Sequence, residues 1–113
     1  MGIAVPNLDA PVLKQTNAIL ALTEKETRMP EQTACIRCGT CANTCPLGID
    51  PAAIAKNYDA GHIEELGKLG VQVCMECGCC SFNCPACRPL VQTNKLAKVA
   101  YKKFIDKNKE AAK

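Results

Sequence analysis

Apolar positions along this chain fall in short clusters separated by proline, glycine and small polar residues, and each separation marks an element boundary. The first thirty residues carry Gly2-Ile3-Ala4-Val5-Pro6, then Val12-Leu13, then Ala18-Ile19-Leu20-Ala21-Leu22, with the turn formers Asn7, Asp9 and Pro11 between them. Clusters this brief predict short extended pieces, with a helix over Ala18 to Arg28 as the alternative. Residues 1–30 hold too little apolar surface to fold alone. They are expected to form an N-terminal extended segment that either packs on the later residues or once packed on something absent from this chain, and the second reading is preferred.

Farther along, the spacing turns helical. Asp50-Pro51 combines a side chain able to cap orphan N–H groups with a residue that has no N–H to satisfy. The helix it opens is predicted through Ala52, Ile54 and Ala55 to about Tyr58, with Gly61 ending it. A second runs from His62 to about Leu69, its Ile63, Leu66 and Leu69 three residues apart, and Gly70 breaks it. Pro89 opens the longest periodic stretch. There Leu90, Ala97, Tyr101 and Phe104 share one face, while Lys95, Lys98, Lys102, Lys103 and Lys109 project elsewhere. This helix is predicted to about Ile105, followed by a flexible lysine-rich tail over residues 106–113. The lysine face reads as solvated, with an acidic partner surface as the alternative. His62 reads as an ordinary surface side chain.

The chain has 113 residues, no Trp, two Tyr and two Phe, so one small domain is the most it can build, around a thin core. Its ten cysteines must therefore contribute to holding it together. They cluster in two short runs and no apolar signal-peptide core follows Met1, which favours bound metal in a reducing cytosol over disulfides. No apolar run approaches the roughly 20 residues needed to cross a bilayer, so membrane association is expected only through a partner. The formal net charge of +3 counts the cysteines as neutral, and metal bound through their thiolates would offset it. Nucleic acid is not an expected partner.

The runs themselves are CIRCGTCANTCP at Cys35 to Pro46 and CMECGCCSFNCP at Cys74 to Pro85, each spaced C-x2-C-x2-C-x3-C-P. This is the bacterial ligand run for iron–sulfur clusters, and its duplication implies two clusters. Three cysteines three residues apart wrap three corners of a cubane in one compact loop. In two-cluster ferredoxins the cysteine before proline fills the open corner of the other cluster. The first cluster is thus predicted on Cys35, Cys38, Cys41 and Cys84, and the second on Cys74, Cys77, Cys80 and Cys45. The crossing would tie the two halves together and hold the clusters at close range.

Register also sorts the remaining positions. With Cys35 aligned on Cys74, Cys79 lies opposite Thr40 and Cys87 opposite Gly48, so these two extra cysteines are expected to be small buried apolar residues, with a reactive thiol or substitute ligand as the alternative. Gly39 and Gly78 supply either a special loop conformation or a close backbone approach. Pro46 and Pro85 stop the turn that carries the fourth cysteine. Ala42, Ser81 and Ala86 let backbone approach inorganic sulfide, while Ile36, Met75 and Phe82 are expected to screen it from water. Arg37 and Glu76 are equivalent positions of opposite charge. A cation favours the reduced cluster, which predicts the higher potential for the first, unless exposure and salt remove the effect.

Zinc is the main alternative for the runs, because CxxC pairs also build zinc ribbons. Self-sufficient catalysis has little to work with: the chain has no glycine-rich phosphate loop, no G-x-G-x-x-G and no Ser/His/Asp set, and no catalytic residue is assigned. With so little apolar area, the fold should depend on metal.

The stretch Cys84-Pro85-Ala86-Cys87-Arg88-Pro89-Leu90-Val91-Gln92, with Cys74-Met75-Glu76-Cys77-Gly78 before it, closely resembles the C-terminal ferredoxin region of the C subunit of the Rnf ion-translocating oxidoreductase. The likeness covers Ala34 to Lys98. Met1-Gly2-Ile3-Ala4 and the stretch from Asp9-Ala10-Pro11-Val12-Leu13-Lys14-Gln15-Thr16 to Leu22 are similar to the piece that precedes the cluster domain in that family. The resemblance implies a fragment of a longer chain, with Met1 an internal residue. It also implies a mainly α fold, an α-helical two-cluster ferredoxin domain over residues 31–105 similar to those of fumarate reductase iron–sulfur subunits. The spacer between Cys45 and Cys74, read as helical, agrees.

As implied by the family, the function is an electron-transfer module with two 4Fe-4S clusters, relaying single electrons within a membrane-associated, ion-pumping NAD/ferredoxin oxidoreductase. Its partners would be the other subunits of the Rnf membrane complex and the flavin/nicotinamide domain of the same subunit, at the cytoplasmic side of the cell membrane. FMN and NAD would belong to the part of the subunit absent here. Cys87 departs from the family's pattern. The alternative is the iron–sulfur subunit of a soluble reductase of the heterodisulfide reductase or glycerol-3-phosphate dehydrogenase type.

Overall fold

A computed structural model describes residue 5, residues 7–28 and residues 30–111. Most of the Gly2-to-Pro6 piece and the last two residues of the expected tail lie outside the described residues. The chain divides into two units, Met1–Glu31 and Gln32–Lys113.

Described residues of the first unit form two tight turns and one four-residue helix, α1 (Glu24–Thr27). Its start is set locally: Thr23 donates its backbone N–H (2.9 Å) and its hydroxyl (2.7 Å) to the Glu26 carboxylate. The helix considered for Ala18 to Arg28 is confined to this turn. Among the described residues of the unit no apolar stripe is buried: Leu8, Val12, Leu13, Ile19, Leu20 and Leu22 are all exposed. Without such burial a short helix gains too little to propagate.

The second unit is helical, with α2 (Thr40–Asn43), α3 (Pro51–Asp59), α4 (Ile63–Lys68), a 3-10 turn at Val71–Val73, α5 (Cys79–Phe82) and α6 (Leu90–Ala111). No strand forms among the described residues. α3 begins where the sequence places it, because the Asp50 carboxylate accepts from the N–H groups of Ala52 and Ala53, both at 3.0 Å. α6 begins without a capping side chain of its own. Pro89 precedes it, and the Ser81 hydroxyl of α5 accepts from Val91 N–H at 2.9 Å instead. α6 also continues to Ala111, past the expected end near Ile105. Lysines and alanines are good helix formers and the stretch contains no glycine or proline to stop it.

The sequence repeat is a repeat of backbone. α2 and α5 start at equivalent places in the two copies, Thr40 and Cys79, as do α3 and α6, at Pro51 and Leu90. Positive φ recurs in register at Arg37 (57°) and Glu76 (59°), at Gly39 (75°) and Gly78 (84°), and at Gly48 (65°) and Cys87 (50°). At Gly39 and Gly78 no atom of a described residue beyond the immediate chain neighbours lies within 4 Å of where a Cβ would stand. Of the two roles considered for these glycines, the left-handed conformation is therefore the one visible.

Two small cores join these parts. One comprises Ile54, Leu66, Val71 and Ala97, flanked by Ile49, Tyr58, Ile63, Leu69 and Tyr101, where α3 and α4 pack on α6. Tyr101 crosses Gly67 so closely that a Cβ there would overlap its hydroxyl. The other core comprises Cys41, Ala55, Cys80 and Leu90, with Ala52, Cys84 and Val91 against it, and sits between the cysteine runs. No helix among the described residues is long and apolar enough to cross a membrane.

Candidate metal centres in two cysteine-lined cavities

Each cysteine run is a loop leading into a four-residue helix, followed by a turn; the loop is exposed in the first run, whereas in the second it begins at the buried Cys74. Cys41 and Cys80 sit on α2 and α5 and are buried; Cys35 and Cys38 lie on the exposed loop ahead of α2. After each short helix the chain turns through matched hydrogen bonds. Cys45 N–H donates to Ala42 (3.1 Å) and Cys84 N–H to Ser81 (3.3 Å), while Gly48 N–H donates to Cys45 (3.1 Å) and Cys87 N–H to Cys84 (3.0 Å). These turns carry the fourth cysteine of each run away from the other three.

Two cavities border the runs. The first, of about 500 Å³, is lined by Cys35, Cys38, Cys41 and Cys84, together with Ala42, Ala52, Ala55 and Leu90. The second is lined by Cys74, Cys77, Cys80 and Cys45, together with Cys79, Ile49, Val91 and Asn94. Three cysteines of the first run and one of the second thus face the first space, and four of the second run, Cys79 among them, with one of the first face the second. Among the described residues no three His, Cys, Asp or Glu side chains converge closely enough to hold a single ion. The sulfurs border a space in each case.

The four cysteines in register at each space match the ligand demand of iron–sulfur clusters, with Cys79 an additional thiol at the second. Room differs between the two cavities. The second measures about 20 Å³, enough for about one water molecule, so a cluster seated there would require its loop walls to stand farther apart. A further mark of fit at that cavity is Asn94, fully buried, with neither its Nδ2 nor its Oδ1 bonded. A buried amide without partners points to a group that belongs beside it.

The thiols differ in basicity for local reasons. The Thr40 hydroxyl donates to Cys38 Sγ at 3.3 Å and, with the Thr40 N–H, holds that thiol below the usual range. Cys77 is lowered in the same way by the N–H and then the thiol of Cys79. Thr40 and Cys79 are the same place in the two repeats. Burial pushes Cys41 and Cys80 up.

Several expectations need correction. Cys79 and Cys87 are half-buried, not enclosed in a core. The neighbouring Cys77 pushes the Cys79 thiol up, and Cys87 occupies a left-handed position where the first run has glycine. Phe82 is 90 % exposed and screens nothing; Ile36 and Met75 line the cavity rims but are themselves more than half exposed. Ala86 is buried and lines the first cavity. Glu76 does not act as a bare charge, because Lys95 Nζ lies 3.7 Å and Lys98 Nζ 3.4 Å from its carboxylate. Lys98, expected on the solvated face, also donates to the Cys74 carbonyl at 2.8 Å and ties α6 to the second run. Asn94 was not anticipated from sequence. Its signal was a polar residue four after Leu90 and three before Ala97, on the face those residues define.

No family model matches the chain. It is 47 % identical over 98 residues to the C subunit of the ion-translocating oxidoreductase complex of Rhodobacter capsulatus, covering 87 % of this chain and 19 % of that protein. The corresponding C subunit of Methanosarcina acetivorans is 37 % identical over 98 residues, covering 87 % of this chain and 22 % of its own length. The C subunit of the proton-translocating ferredoxin:NAD(+) oxidoreductase complex of Clostridium ljungdahlii is 38 % identical over 55 residues, 49 % of this chain and 12 % of that protein. The chain spans about a fifth of the length of the first two relatives. Two cysteine-lined cavities in a helical unit are consistent with iron–sulfur clusters, and over the matched residues this chain belongs to the family of C subunits of ion-translocating oxidoreductase complexes.

Proposed function

We propose that this chain is an electron-transfer module that holds two 4Fe-4S clusters and relays single electrons within a membrane-associated, ion-translocating oxidoreductase complex. The observation that carries the reading is the crossed lining of the cavities: Cys35, Cys38 and Cys41 with Cys84 at one, and Cys74, Cys77 and Cys80 with Cys45 at the other. When bound, such clusters supply one-electron redox couples. The chain's own residues do three things. Their thiolates fix where each redox centre stands, the exchange of Cys45 and Cys84 sets the distance between centres, and the buried Cys41, Ala55, Cys80 and Leu90 keep water from the space between them.

The names of the relatives favour a place in the membrane complex over a soluble reductase. The remaining subunits and the rest of the C subunit would be the partners, with nicotinamide and flavin held outside this chain. Peripheral attachment on the cytoplasmic side, through those partners, completes the proposal.

Iron and acid-labile sulfide quantitation of the anaerobically purified chain, with EPR of the reduced form, tests it. Two clusters' worth of iron and sulfide, with spin coupling between two centres, is the expected result. Zinc without iron or sulfide would sink the reading.

A further inference from the structure

The second cavity contains a polar group that its cysteines do not account for. Asn94 stands in the second turn of α6, is 0 % exposed, and lines the space beside Cys74, Cys77 and Cys80. Neither polar atom of its side chain has a hydrogen-bond partner among the described residues. Interior amides are nearly always bonded, since stripping them of water without replacement is costly. The Asn94 N–H groups are donors, and the acceptors that an iron–sulfur cluster brings into this cavity are its sulfurs and the cysteine thiolates.

In the first repeat the place equivalent to Asn94 is held by Ala55. It is buried and lines the first cavity, but its methyl group donates nothing. The first cavity has its own polar contact, the Thr40 hydroxyl on Cys38. That cysteine is exposed, so water competes for the same sulfur and the net effect is small. The charges that distinguish the runs are also blunted. Arg37 is exposed and its field is screened by solvent, while two lysines face Glu76. A donor held in a buried site has neither competitor, and hydrogen bonds to ionised acceptors are the stronger ones.

Resting on the two-cluster reading above, we infer that Asn94 donates an N–H hydrogen bond to sulfur at the second site and makes that site the more easily reduced of the two. Reduction adds negative charge to the cluster and its sulfurs, which strengthens the bond and so favours the reduced state. This order is the reverse of the one that Arg37 and Glu76 alone predict.

The test is a redox titration followed by EPR on this chain carrying its clusters, comparing wild type, Asn94→Leu and Ala55→Asn. Leucine keeps nearly the volume of asparagine without the donor. In Asn94→Leu the reduced-to-oxidised ratio of one cluster at fixed potential should fall about tenfold, equal to about 59 mV for a one-electron couple, with the other cluster unmoved. Ala55→Asn should raise the other. Pulsed EPR in light and heavy water should show an exchangeable proton coupled to the second cluster, lost in Asn94→Leu.

Loaded Asn94→Leu with both potentials unchanged and the proton coupling intact overturns the inference while leaving the two-cluster reading in place. Wild type without two clusters' worth of iron overturns the reading itself. If Asn94→Leu fails to load, Ala55→Asn decides: a raised first potential supports the inference, and a loaded variant with no shift refutes it.

Discussion

The run from Cys35 to Pro46 and the run from Cys74 to Pro85 trace one backbone path, with left-handed residues, a four-residue helix and a closing turn at the same places. Their surroundings diverge at almost every equivalent position. The helix after the first run is nine residues long and capped by Asp50; the one after the second is twenty-two and capped by Ser81 from a neighbouring helix. One cavity is broad, the other narrow, and Ala55 in one answers to Asn94 in the other. On the proposed two-cluster reading, ligand geometry would require the backbone to repeat, because a cubane presents the same corners each time. Nothing would require the outer surroundings to repeat, and that is where two chemically identical centres would acquire different properties.

The most severe way to break the comparison is to remove the metal. Chelation of the oxidised protein should cost the second unit most of its amide protection in both runs at once, because four buried residues in each core cannot offset the chain entropy. Hydrogen exchange that showed equal protection with and without metal would contradict this.

Next in size is the crossing. Cys45→Ser should damage the cluster held by Cys74, Cys77 and Cys80, and Cys84→Ser the one held by Cys35, Cys38 and Cys41, each with loss of about half the iron, on the assignment of four ligands to each cluster. Mössbauer and EPR spectra of the two variants should be complementary. Damage within the run that carries the substitution would show the runs to be independent.

The caps should separate the halves by less. Asp50→Ala removes an acceptor for two N–H groups and Ser81→Ala an acceptor for one. Losses of about 1–2 kcal/mol and about 0.5–1 kcal/mol are expected, read from urea midpoints of cluster bleaching. Equal losses would make the two helix starts equivalent after all.

Smallest is the exchange at the left-handed position. Cys87→Gly should leave the iron content unchanged and stabilise by up to about 1 kcal/mol, and Gly48→Ala should destabilise by about 1 kcal/mol or more. Iron lost from Cys87→Gly would instead give this thiol a ligand role.

Much of this was legible because short-range rules govern it. The Asp50-Pro51 start, the Gly70 break and the cysteine register each depend on neighbours a few residues away, so helices α3 and α4 fall within a residue or two of their predicted bounds. The end of α6 was misjudged, since a lysine-rich stretch without an apolar partner reads as frayed although its propensity is helical. Burial was legible only in part. Phe82 is apolar and exposed, Asn94 is polar and enclosed, and both depart from the expectation that residue type decides depth.

The sequence by itself determined the repeat, the eight cysteines in register and the helical spacer, because ligand spacing and helix signals are local. Only the tertiary structure decided that Ser81 caps a helix ten residues on, that two lysines meet Glu76, and that an amide lies buried beside Cys74. Each of these is a meeting of residues brought together by helix packing, and no spacing along the chain encodes it.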